Sequence, residues 1–197
     1  MEKIDGGVTA AKGFLAAHTA AGIKYQGRDD MAMIYSKVPA VAAGTFTRNV
    51  VKAAPVKWDQ QVVGESPFVQ AVVMNAGIAN ACTGQEGMGY CKETADAAGS
   101  ALGIPSQAVL VASTGVIGMQ LPMDRLRAGI GAMVPKLEDT RQAAAAAAQA
   151  IMTTDTHKKE AAVTFTVDGK IVTVGGMSKG SGMIHPNMCT MLAFITT

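Results

Sequence analysis

The stretch Ala161–Gly175, AAVTFTVDGKIVTVG, decides the fold class. Two runs rich in Val, Thr and Ile, residues 161–167 and 170–175, flank Asp168-Gly169. Asp-Gly supplies the two positive-φ positions of a tight turn, so the stretch predicts a β-hairpin and antiparallel pairing. Upstream, residues 138–151 contain six consecutive alanines, which favour a helix packed tightly on a neighbour. Pro122 opens a predicted helix over 122–133, and Gly103 stops another over 91–102. Strands are predicted over 31–36, 41–47, 68–74 and 107–112, the first two close enough to pair with each other. Pro55 breaks the chain, and NAGIANACTG (75–84) reads as a polar, Gly-containing loop. Strands and helices alternate irregularly. The expectation is an α+β layered sandwich of mixed and antiparallel sheets, one domain over 1–197, with no internal repeat or linker.

Composition narrows the function. Of 197 residues, 49% are apolar and 16% charged, with a formal net charge of +2, a globular and weakly charged chain. No block of Lys or Arg points to nucleic acid or an anionic membrane. No apolar run is long enough for a membrane span, and MEKIDGG at the start is no signal peptide. Cys82, Cys91 and Cys189 form no CxxC pair, and His18, His157 and His185 have no zinc-site spacing. A reducing cytoplasm, with no metal, is the expectation.

Three segments can carry chemistry. GGMSKGSG (175–182) invites a phosphate-loop reading, but Lys179 precedes Gly180 rather than Ser or Thr, and Pro186 disfavours a following helix. Its glycines equally suit a close-packed, strained backbone. Ser113-Thr114-Gly115, at the end of a predicted strand, could present a hydroxyl and an N–H to one point, or could be a plain turn. Thr153-Thr154-Asp155-Thr156 could bind substrate or end the alanine helix.

Seven pieces occur in order along the chain: GGVTAAKGF, SKVPAVAAGTFTRN, AAPVKW, NAGIANACTG, ASTGVIG, TTDTHKK and KGSGMIHPNMCTML. Through them the chain resembles the N-terminal (α) half of the ornithine acetyltransferase/bifunctional glutamate N-acetyltransferase family. The resemblance implies a self-cleaving, N-terminal-nucleophile-like fold and a precursor twice as long. It places the autocleavage motif at 179–192 and the cut at Cys189–Thr190, with cysteine where the family usually has alanine. A chain cut there would end at Cys189, whereas this sequence runs to Thr197. The resemblance makes Thr190 the nucleophile and substrate contact, Thr114 and Gly115 the oxyanion hole, and Thr153 and Lys179 substrate-binding residues. It further implies acetyl transfer from N-acetylornithine to glutamate through an acetyl-threonine, in a ping-pong sequence. No cofactor is implied beyond acetyl-CoA as a co-substrate in some members. The partner would be the β chain of the same precursor, in an α2β2 heterotetramer. An aminopeptidase of the same fold and a non-catalytic binding domain are the competing readings.

Overall fold

The computed structural model describes residues 1–181 and 191–197. In chain order the described elements are β1 (Glu2–Ile4), β2 (Phe14–Thr19), β3 (Met31–Ala40), α1 (Ala54–Glu65), β4 (Val69–Ile78), α2 (Gly84–Leu102), β5 (Val109–Val116), α3 (Met123–Met133), α4 (Arg141–Ala150), β6 (Lys159–Val167), β7 (Lys170–Lys179) and β8 (Leu192–Thr196). Short 3-10 turns precede β5 and follow α3. Two four-stranded sheets result. One, ordered β1-β6-β7-β8, is antiparallel throughout. The other, ordered β2-β3-β4-β5, is antiparallel except for β4 and β5, which run parallel and are joined by the α2 crossover. This is the α+β layered architecture expected.

Alternation along the strands explains the layering. Met31 and Met33 of β3, with Ala71 and Val73 of β4, pack on Ala95 and Ala98 of α2 and on Leu126, Ile130 and Met133 of α3. The intervening Ala32, Ile34 and Met74 face the other way, onto α4. Both faces of the mixed sheet are therefore covered, which is why β3 reads as a continuous apolar run. Helix α4 lies between the sheets. Its Ala144, Ala147 and Ala148 are fully buried against the mixed sheet and Met177 of β7. Alanine lets two sheets approach one helix closely at little entropic cost. Thr140 caps α4 by accepting the Ala143 N–H at 3.1 Å.

The hairpin forms as expected, with Val167↔Lys170 flanking the turn and φ of +50° and +76° at Asp168 and Gly169. Gly103 ends α2 in the left-handed region at φ +70°. Other expectations are corrected. Residues 41–47 form no strand: β2 and β4 already occupy the two edges of β3. Pro55 opens α1 rather than breaking the chain, since its missing N–H is no loss in a first turn. Helix α2 starts at Gly84, seven residues before the expected 91. Pro122 occupies the position just before α3 instead of being its first residue. Residues 75–78 belong to β4, and Gly175–Lys179 is strand, not a glycine-rich loop. Among the described residues no helix is long and apolar enough to cross a membrane.

Candidate active site

The parallel strands β4 and β5 end in a contact that only glycine permits. Gly77 and Gly115 are register partners, with φ of +112° and +135°. A Cβ on Gly115 would lie 2.2 Å from the Gly77 carbonyl carbon and 2.3 Å from its oxygen. The chain then turns at Asn80, held at φ +48°. The buried Asn80 amide donates to the Gly87 carbonyl (3.0 Å) and accepts from the Thr83 hydroxyl (2.8 Å). Buried Asn75 donates to the Ile78 carbonyl at 2.9 Å. The NAGIANACTG segment is thus a braced strand end, and it fixes where the main chain of Gly115 sits.

Beside Gly115, Thr114 meets a buried ammonium. Lys179, the last residue of β7 and 4% exposed, donates from Nζ to Thr114 Oγ1 at 3.0 Å and to Thr153 Oγ1 at 2.8 Å. An ammonium only donates, so both hydroxyls accept, and each keeps its own hydrogen for another acceptor. That is the state an oxyanion donor needs. Burial pushes the Lys179 ammonium below its ordinary range; the negative Asp155 opposes this and the positive Lys159 adds to it.

Asp155 is the bracket of this site. Its side chain is fully shielded. It accepts the Gly180 N–H at 2.9 Å and the Thr153 N–H at 3.4 Å, and pairs with Lys159. Burial alone would raise its carboxyl; the Lys159 hydrogen bond and the Gly180 and Thr153 N–H groups outweigh this and hold it down at about 2. Asp155 therefore ties the segment after α4 to the end of β7, and sets Thr153 against Lys179. The neighbouring Thr154 and Ser181 hydroxyls meet at 3.0 Å.

Three of the residues singled out in the sequence, Thr114, Thr153 and Lys179, converge here, and Gly115 adjoins them. Cys189, Thr190 and most of the 179–192 motif lie outside the described residues. Sequence reasoning missed the role of Asp155; the signal was an acid among threonines, which also fits a helix end. Among the described residues no group of three or more His, Cys, Asp or Glu side chains could hold a metal.

Known proteins resemble this chain in sequence and in fold. The family model described as "ArgJ family" matches residues 15–197. The arginine biosynthesis bifunctional protein ArgJ of Symbiobacterium thermophilum is 53% identical over 199 residues, covering 100% of this chain and 49% of that protein. The namesake from Gloeobacter violaceus is 50% identical over 196 residues, covering 100% of this chain and 48% of its own length. The chain spans about half the length of the curated relatives it matches. The crystal structure of arginine biosynthesis bifunctional protein argJ from Bacillus halodurans superposes with a TM-score of 0.89 at 44% identity, over 96% of this chain and 97% of that one. Ornithine acetyltransferase of Mycobacterium tuberculosis, solved in complex with ornithine, gives 0.84 at 44% identity, over 92% and 95%. On sequence and fold together, the chain belongs to the ArgJ family.

Proposed function

We propose that this chain is the N-terminal half of a glutamate N-acetyltransferase that moves acetyl from N-acetylornithine to glutamate. The observation that carries the reading is the buried Lys179 ammonium bridging the Thr114 and Thr153 hydroxyls beside the Gly77–Gly115 contact. Thr190 is the nucleophile, freed as an N-terminal residue by cutting at Cys189–Thr190. Its α-amino group, with an ordinary pKa of about 7.7 to 8.0, is a base on the same residue as the hydroxyl. The Thr190 oxygen attacks the acetyl carbonyl carbon; the hydroxyl proton passes to the amine, and the C=O electrons move onto oxygen. The Thr114 hydroxyl and the Gly115 N–H stabilise that oxyanion, worth roughly 3 to 4 kcal/mol per donor. Collapse breaks the C–N bond, and ornithine leaves with the proton. Glutamate then takes the acetyl group by the reverse sequence. Lys179 has a third N–H to offer a substrate carboxylate, and the Thr153 hydroxyl lies beside it at 2.8 Å.

Several features belong to this reading. The partner is the β chain of the same precursor, in an α2β2 assembly. Acetyl-CoA acts as an alternative acetyl donor. No cofactor or metal takes part, and the enzyme works in the cytoplasm. The test is intact mass of the full-length protein. After N-acetylornithine without glutamate, the chain beginning TMLAFITT should gain one acetyl group, and glutamate should remove it. Thr190→Ala should leave the precursor uncut and inactive. Intersecting double-reciprocal lines with no adduct would mean direct transfer between two bound substrates and would end this reading.

A further inference from the structure

The loop between β2 and β3, residues 20–30, crosses the end of the β4–β5 pair and does more than connect strands. The fully buried Asp30 carboxylate accepts the N–H groups of Ala21 (2.8 Å), Gly22 (3.3 Å) and Ile23 (2.6 Å), while its carbonyl accepts the Ala76 N–H at 2.8 Å. His18 and Asp29 meet at 2.6 Å alongside it. So held, the loop seats its next two residues directly on Gly77. A Cβ built there would lie 2.8 Å from Lys24 Cβ and 3.4 Å from Tyr25 Cε2. One wall of the candidate site is therefore backed by Tyr25.

The other wall is reached by Arg28. Its guanidinium lies 4.5 Å from the centroid of the Tyr25 ring, and its Nη2 donates to the Met152 carbonyl at 2.7 Å. Met152 lies just past Ile151, the C-cap of α4, so Arg28 holds the main chain of the segment that leaves the helix. The next residue is Thr153, which accepts from Lys179. A planar cation thus rests its face on the ring behind Gly77 and its edge on the main chain before Thr153. We propose that Arg28, seated on Tyr25, is a positioning residue that sets the distance between the Gly77–Gly115 backbone and the Thr153–Lys179 pair. Arg28 touches no reacting atom; it acts through Met152 and Thr153.

The consequence for catalysis rests on the acetyl-transfer reading above, whereas the consequence for Lys179 does not, so the test reads both. In the full-length protein, Lys179 is labelled with a water-soluble propionyl succinimidyl ester and quantified on its peptide by mass spectrometry. Transfer from N-acetylornithine to glutamate is followed in parallel. In Arg28→Ala the labelling of Lys179 should rise severalfold at unchanged melting temperature. The kcat should fall about tenfold, because misplaced groups lose transition-state contacts, with KM little moved. Arg28→Lys, which keeps a donor without the planar face, should fall between, and millimolar guanidinium should partly restore Arg28→Ala. Arg28→Met keeps the bulk of the side chain and carries the same labelling test should Arg28→Ala not fold. Lys179 labelling at the wild-type rate in the folded variant would overturn the proposal whatever the activity does. Raised labelling in a protein whose wild type transfers no acetyl would uphold the positioning role and sink the acetyl-transfer reading alone.

Discussion

Replacing Gly115 by alanine tests whether the β4–β5 strand end is as tight as its geometry implies. The added Cβ would sit 2.2 Å from the Gly77 carbonyl carbon, and the group it meets is backbone, which has no rotamer to give. Restoring an ordinary 3.4 Å contact requires the strands to part by about 1.2 Å. The φ of +135° adds a conformational cost that glycine alone escapes. Overpacking at roughly 1–3 kcal/mol and backbone strain at roughly 1–3 kcal/mol together give a loss of about 2–6 kcal/mol. Gly103→Ala is the control. It has a positive φ of +70° but nothing within 4 Å of the new Cβ, so only the strain remains, about 1 kcal/mol. Urea unfolding of both variants, followed by circular dichroism in the full-length protein, separates the two contributions. A Gly115→Ala variant no less stable than Gly103→Ala would refute the reasoning: the clash would then be relieved at no cost.

Two further outcomes follow from the same geometry. Thr114→Ala should lower kcat by about 10²–10³ and leave KM nearly unchanged, with Thr114→Ser close to wild type, because the hydroxyl acts on charge that exists only in the transition state; unchanged kcat with a raised KM would make Thr114 a ground-state contact. Asp59 on α1 accepts the Val111 N–H at 2.9 Å, and burial lifts its carboxyl to about 8 despite that bond. The folded state then holds this proton more tightly than the unfolded one, whose value is near 3.8, so stability should decline as pH rises from about 4 to about 8. Asp59→Asn keeps an acceptor for Val111 and should flatten that decline in urea midpoints; an unaltered slope would show that the proton is held elsewhere.

What the sequence made legible was local. Asp168-Gly169 specifies its turn by backbone conformation alone, and Gly103 ends α2 for the same reason. The alanine run is helical by propensity. Strand partners are a different matter. VAAGTFT has strand composition, yet β3 had no edge left for it, a fact set by β2 and β4 from either side. Asn75 and Gly77 look like loop residues, but a parallel partner with its own glycine lets β4 run on to Ile78. The site divides in the same way. Thr114, Gly115, Thr153 and Lys179 were picked out through the family resemblance, whereas Asp155 and Arg28 work through contacts between segments that no local pattern encodes.

The Lys179–Thr114 bond spans 65 positions, and β1 waits for β6 to pair Glu2 with Thr164. On a ribosome, where the amino end emerges first, neither closure can occur until most of this chain has been made. Of Thr114, Thr153 and Lys179, the ammonium is made last, at the end of β7. Until the hairpin has docked, a nascent chain therefore leaves the Thr114 and Thr153 hydroxyls without the Lys179 ammonium.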